Sequence, residues 1–141
     1  MTANDIGRRP LRTSLALFTG FAVIVVLSTV TDLALHAGHV FPAEGQPMAT
    51  PLWVLALAYR SVFAVLGCWL AARLAPSRPM AHALTLGAIG VVLSALGTAA
   101  TWDKGPGFGP KWYPLSLVVT SLPLAWLGGR LERRPAEPPA S

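Results

Sequence analysis

The sequence predicts an all-α protein, a transmembrane four-helix bundle with short loops and with both termini in the cytoplasm. Three observations predict this fold. Apolar residues make up 53% of the 141 residues and charged residues only 12%, whereas soluble domains carry about 25% charged residues. The apolar residues form four long runs. Most of the basic residues fall on one side of those runs.

Each of the four runs is long enough to form a membrane-spanning helix. They cover residues 13–37, 52–74, 80–102 and 112–131. A helix needs about 20 apolar residues to cross the hydrocarbon core, and an open sheet would leave backbone groups unpaired in lipid. The first run is longer than the apolar core of a cleaved signal, so we expect an uncleaved anchor. One transmembrane domain is therefore predicted at 13–131, after a basic cytoplasmic segment at 1–12 and before a disordered, proline-rich tail at 132–141.

The basic residues predict the orientation. Eight arginines flank the runs on one side: Arg8, Arg9, Arg12, Arg73, Arg78, Arg130, Arg133 and Arg134. The other side carries only Lys104 and Lys111. The positive-inside rule places the arginine side in the cytoplasm, which predicts a multi-pass protein of the bacterial inner (cytoplasmic) membrane. The lipid bilayer is then the partner of these charges, and the net charge of +5 does not indicate nucleic-acid binding.

Helix three carries a stripe of small residues at spacings of three and four. The stripe consists of Ala83, Gly87, Gly90, Ser94, Gly97 and Thr101. Helix two has a related stripe that includes Ala56, Ala64 and Gly67. Small residues let helix backbones approach closely in lipid, so the pattern predicts a helix-packing seam between helices two and three. The alternative is that one stripe faces another subunit.

Two charged residues fall within the predicted spans, Asp32 in helix one and Arg60 in helix two. Because a charge at the centre of a membrane helix is costly, each needs a partner or a wet cavity. Their predicted depths differ by roughly 6 Å at 1.5 Å per residue, which an arginine side chain can span. We therefore predict an intramembrane Asp32–Arg60 pair, either static or part of a proton or ion pathway. Tyr59 lies about 100° round the helix from Arg60 and need not share its partner.

A second group of polar residues lies at the outer end of helix one. Asp32, His36 and His39 are spaced i, i+4, i+7, which would place them on one helical face. Gly38 and Pro42 favour a helix end near His36, which would remove His39 from that face. Asp103, at the outer end of helix three, could add a fourth ligand. Carboxylate and imidazole groups bind zinc and similar metals, so these four residues are a candidate metal or proton site. The alternative interpretations are interfacial hydrogen bonding and pH sensing.

Four segments carry a resemblance to a known group of proteins: Thr31-Asp-Leu-Ala-Leu-His36, Ala58-Tyr-Arg-Ser61, Lys111-Trp-Tyr-Pro114 and Leu127-Gly-Gly-Arg130. With these segments the chain resembles the uncharacterised small four-span proteins of the bacterial inner membrane. The resemblance covers most of the chain. It implies the four-span fold and implies no activity.

The residue types favour a protein that is not an enzyme. The sequence shows no Ser/His/Asp order, no paired catalytic carboxylates and no cofactor fingerprint, and the lone Cys68 fits a packing role. Our leading interpretation is an accessory or scaffold bundle that associates with itself or with a larger membrane complex, without a cofactor. The alternatives are a small oligomeric transporter or channel that uses Asp32 and Arg60, and a metal-binding protein. A cavity that reaches the pair from outside favours transport, and a dry, sealed pair favours the scaffold.

Overall fold

Helices form almost the whole described part of the chain. The computed structural model describes residues 3–132, with side chains from residue 7 onward. Within this range there are four α-helices, one short 3-10 helix and no strand. The helices are α1 (Ala3–Ala37), α2 (Thr50–Leu74), α3 (Pro79–Thr101) and α4 (Trp112–Leu131), and the 3-10 helix is Pro106–Phe108. The all-α prediction is confirmed, and most of the predicted tail, residues 133–141, lies outside the described residues.

The helix boundaries follow the local sequence. Helix α1 begins at Ala3 and runs through Pro10, so the described part of the basic segment 1–12 is helical rather than separate from α1. Arginine is a good helix former, which lets the helix continue past the apolar run. Helices α2 and α3 both have a proline in their first turn, where the missing N–H has no intrahelical partner in any case.

Three of the four helices are long and apolar enough to cross a membrane: α1 from Gly7, α2 and α3. Helix α4 is not among them. It has 20 residues with Pro123 inside it, and its polar and small residues lower its mean hydropathy. Its outward side chains are nevertheless apolar, with Val119 72% exposed. Large exposed apolar side chains occur on all four helices, which suits a surface covered by lipid.

Small residues let the helices pack. No large side chain is fully buried in the described part of the chain, and the core is mostly alanine. Helices α1 and α2 cross where Gly20 meets Gly67, since a Cβ atom on Gly20 would lie 2.5 Å from the Gly67 carbonyl oxygen. Helix α4 meets α2 at Gly128, where a Cβ atom would lie 2.7 Å from the Val65 carbonyl oxygen. Glycine at these crossings permits the close backbone approach.

The stripe of small residues on α3 faces mainly α4, and the predicted seam between helices two and three is wrong in its partner. Gly87 and Gly90 lie against Ser121 of α4, and Ala83 lies against Gly129. The α3–α4 contact is the most extensive in the protein, and the α2–α3 contact is smaller. The stripe also packs over only part of its length, because nothing lies within 4 Å of a Cβ atom built on Gly97. The sequence showed which face of α3 packs but not which helix it meets.

The two ends of the helices differ. We call the end formed by residues 38–49 and 102–111 the long-loop end, and the opposite end the terminal end. At the terminal end, Arg73 lies 3.8 Å from Glu132, and His82 Nε2 lies 3.2 Å from the Thr13 hydroxyl. A compact cluster that includes Ala71, Ala72, Ala83, Leu86 and Ala125 lies just above these contacts. This half is therefore tightly packed, and the open space lies towards the long-loop end.

Candidate functional site

Asp32 of α1 forms the centre of a three-residue polar cluster with Tyr59 and Arg60 of α2. The Tyr59 hydroxyl donates to Oδ1 of Asp32, and Arg60 Nη2 donates to Oδ2. Both carboxylate oxygens are thus engaged, one by a neutral donor and one by a charge. The structure therefore places Asp32 and Arg60 in an ion pair, with 28% and 34% of their side chains exposed.

Tyr59 shares the partner of Arg60, although their positions on α2 did not require it. Neighbouring residues on a helix point about 100° apart, but α1 packs against α2 between the directions in which Tyr59 and Arg60 point. Asp32 can then accept from both side chains. Spacing on one helix could not reveal this, because the shared partner belongs to another helix.

Arg60 retains unused donor capacity. Its Nε atom is buried and has no hydrogen-bond partner among the described residues. A guanidinium group has five N–H donors, and a buried donor without an acceptor is costly. This buried donor therefore needs a small acceptor that can reach it inside the protein, such as a water molecule.

His36 lies one turn further along α1 and faces the same side. Its Nδ1 atom lies 2.8 Å from the backbone carbonyl oxygen of Asp32. A carbonyl oxygen can only accept, so Nδ1 carries a proton and donates, and Nε2 is an acceptor when the ring is neutral. The ring also packs edge-to-face on Phe41, with centroids 5.5 Å apart. The orientation of the His36 ring is thus fixed, with Nε2 as its remaining nitrogen.

The loop after α1 turns back over the helix end. The backbone N–H groups of Val40 and Phe41 both donate to the Leu35 carbonyl, and the Phe41 side chain is only 6% exposed. His39 has a φ of 56°, a left-handed conformation that ends the helix. The predicted i, i+4, i+7 stripe is therefore broken at His39, because α1 ends at Ala37.

A cavity of about 390 Å³ lies beneath this loop, and we call it the outer cavity. Its polar lining consists of Asp32, His36, Glu44, Gln46 and Arg60. Its aromatic lining consists of His36, Phe41, Trp53, Tyr59, Phe108 and Tyr113. The Asp32–Arg60 pair is therefore not sealed in the helix core but lies on a cavity wall at the long-loop end.

The aromatic wall is held by contacts between α2, α4 and the loop before α4. The Trp53 and Tyr113 rings lie 4.8 Å apart, and Trp53 Nε1 donates to the Met48 carbonyl at 3.2 Å. Gly109 has a φ of 89°, and a Cβ atom there would lie 2.5 Å from the Trp53 ring. Trp53 and Tyr113 belong to the aromatic residues that membrane proteins place at the interface, so the sequence alone did not reveal their role in a cavity.

A second cavity of about 190 Å³ lies among all four helices, and we call it the central cavity. Arg60 lines it as well as the outer cavity. Its other polar groups are the hydroxyls of Ser28, Ser61, Ser94, Thr120 and Ser121, and Cys68 lines its wall. Ser61, Thr120 and Ser121 donate to carbonyls of their own helices, so their oxygens remain acceptors. Arg60 thus lies between an aromatic cavity and a hydroxyl-lined one.

The candidate metal or proton site does not assemble as a metal site. No three His, Cys, Asp or Glu side chains within the described residues come close enough to hold a metal ion. Asp32 and His36 line the outer cavity, whereas His39 and Asp103 are not among its lining residues. The physical reason is that α1 ends before His39 and that Asp103 lies in the exposed turn after α3.

The chain matches no protein-family model, no curated protein and no solved structure at a significant level. The chemistry of the two cavities and the distribution of charge therefore carry the functional assignment.

Proposed function

We propose that the protein crosses the bacterial inner membrane four times and has both termini in the cytoplasm. Three helices are long and apolar enough to cross a membrane. Helix α4 packs along both α2 and α3 and presents apolar side chains such as Val119 outward, which supports a fourth crossing beside them. The arginines at the terminal end support its cytoplasmic location under the positive-inside rule.

Labelling of added cysteines on intact cells tests this topology. In a Cys68→Ser background, we expect Glu44→Cys to react with a membrane-impermeant maleimide in intact cells. We expect Ser77→Cys and Glu132→Cys to react only after lysis. Labelling of Glu132→Cys in intact cells would show that α4 does not cross the membrane.

We infer that the protein binds a small molecule in the outer cavity and is not an enzyme. The observation that carries this inference is the cavity of about 390 Å³ with the Asp32–Arg60 pair in its wall. Small-molecule sites typically have volumes of about 300–1,000 Å³, apolar and aromatic walls and a few convergent polar groups. A charge pair reached from the long-loop end favours the small transporter or channel over an inert scaffold.

The central cavity supports a transport role because it continues beyond Arg60 towards the middle of the helices. The tightly packed terminal half closes the path on the other side. In this proposal, Arg60 separates a compartment open to the outside from one deep in the membrane. Passage across the membrane would then require the glycine contacts of the terminal half to separate.

A screen of water-soluble small molecules tests the binding proposal. Ligands are identified by the increase in unfolding temperature of the protein in mild detergent. We expect ligands whose effect is lost in Trp53→Leu and kept in Trp126→Leu, since Trp126 lies at the terminal end and is 49% exposed. If no compound stabilises the protein in a Trp53-dependent way, the solute-binding proposal is wrong.

An accessory protein that associates with itself or with a larger membrane complex is the second candidate. The unpacked part of the α3 stripe, at Gly97, favours it, since a small residue on an open helix face allows another helix to approach. The native mass after a pull-down from mild detergent distinguishes the two candidates. A copurifying complex would support the accessory role, and a lone monomer would contradict it.

A further inference from the structure

We propose that the outer cavity selects an organic ammonium ion. This proposal rests on the proposed function and names the class of ligand. Some polar groups on the cavity wall already pair with other groups of the protein, and others are still able to bind. A ligand pairs with the groups that are still able to bind.

The charge pair contributes little net charge to the cavity. Arg60 and Asp32 neutralise each other, and Tyr59 donates to the second carboxylate oxygen. An anionic ligand would have to compete with Asp32 for Arg60, the only positively charged side chain among the lining residues. The Nε atom of Arg60 is buried and offers no easy approach. The part of the cavity wall formed by Asp32 and Arg60 therefore does not favour an anion.

The groups on the wall that can still bind include the Glu44 carboxylate, whereas Gln46 and the Tyr113 hydroxyl can donate as well as accept. His36 Nδ1 donates to the Asp32 carbonyl, so Nε2 is an acceptor when the ring is neutral. The Glu44 carboxylate lines the rim and is exposed. Asp32 and Glu44 are negative and Arg60 is positive, so these three side chains together carry one net negative charge. A carboxylate and a negative net charge favour a cation, whether or not it carries an N–H donor.

The aromatic wall favours the same ligand. Ring faces attract cations through their quadrupole, and quaternary and primary ammonium groups bind well among several rings. The Trp53 and Tyr113 rings lie together on one wall, and Phe41 and Phe108 line the cavity as well. An organic cation can bury its alkyl groups among these rings while its charge faces Glu44. A hydrated metal ion would gain little from such a wall.

Three matched compounds test the selection by charge. They are choline, its uncharged analogue 3,3-dimethylbutan-1-ol and the anion 3,3-dimethylbutanoate, which share a bulky branched head. Binding is measured by the change in tryptophan fluorescence of the protein in detergent. We expect choline to bind about fivefold tighter than the alcohol or better, and the anion to bind most weakly. Equal binding of choline and the alcohol, tighter binding of the anion, or no binding of choline would each overturn the proposal.

Two variants test whether the preference for a cation arises in the outer cavity. We expect Glu44→Gln to weaken choline binding about threefold or more while leaving the alcohol unchanged, because only the charge is removed. Asp103→Asn is the matched control, since Asp103 is a carboxylate at the same end but not a lining residue. An equal effect of the two variants would mean that the attraction is a general surface effect, which contradicts the proposal. Failure of choline together with a Trp53-dependent ligand of another class would refute the ammonium proposal and leave the proposed function intact.

Discussion

The structure predicts the coupling energy between Asp32 and Arg60, which is the amount by which the two side chains together stabilise the protein beyond their separate contributions. Residues of one hydrogen-bond or salt-bridge network show coupling energies of about 0.5–3 kcal/mol, whereas exposed pairs contribute about 0–1 kcal/mol. About a third of each side chain is exposed, 28% for Asp32 and 34% for Arg60. We therefore expect a coupling energy above that of an exposed pair, about 2 kcal/mol.

A single substitution cannot measure this coupling. Arg60→Met removes the pair, but it also removes the cost of an arginine within the membrane, about 2.5–3.5 kcal/mol on the insertion scale. The two effects oppose each other, so the change in unfolding free energy of Arg60→Met alone does not show whether the pair stabilises the protein. A double-mutant cycle of Asp32→Asn and Arg60→Met isolates the pair. Each protein is unfolded with a denaturing detergent, and the free energy of unfolding is followed by tryptophan fluorescence.

A second cycle controls for long-range effects. It combines Arg60→Met with Asp103→Asn, and we expect the two effects to add within about 0.5 kcal/mol, because distant sites are independent. The reasoning from burial would be refuted by a coupling below about 0.5 kcal/mol between Asp32 and Arg60. It would also be refuted by a coupling as large for Asp103.

Three further predictions concern packing, hydrogen bonding and hydration. Gly67→Val should destabilise the protein by about 1–3 kcal/mol, because its side chain would meet a carbonyl oxygen of α1. Gly97→Val, with nothing within 4 Å, should change the unfolding free energy by less than about 0.5 kcal/mol. Tyr59→Phe should cost about 0.6 kcal/mol, the mean for hydrogen bonds between membrane helices, and no loss would mean that its bond to Asp32 is not maintained in the membrane. The S–H infrared band of Cys68 should shift within minutes in D₂O, since Cys68 lines the central cavity together with Arg60 and several hydroxyl groups. A band that persists for hours would show that the cavity is dry.

The local parts of the candidate site could be predicted from the sequence. Asp32 and Arg60 were identifiable because a charge in an apolar run demands a partner, and the rise per residue gave their depths. Tyr59 was missed as a partner because its direction on α2 had meaning only relative to α1. The cavity walls were missed for a similar reason. Trp53 and Tyr113 suit a membrane interface on composition, and only the packing of α2 against α4 brings their rings together.

The sequence by itself determined the all-α fold, the order of the helices, the concentration of arginine at one end and the presence of two charges within apolar runs. These properties depend on hydropathy and spacing along one chain, which neighbouring helices do not change. The tertiary structure alone decided that the small-residue stripe of α3 meets α4 and that Tyr59 joins the Asp32–Arg60 pair. It also decided that Arg60 lies between two cavities. Each of these depends on the relative rotation of two packed helices or on the path of a loop, and many rotations satisfy the same sequence pattern.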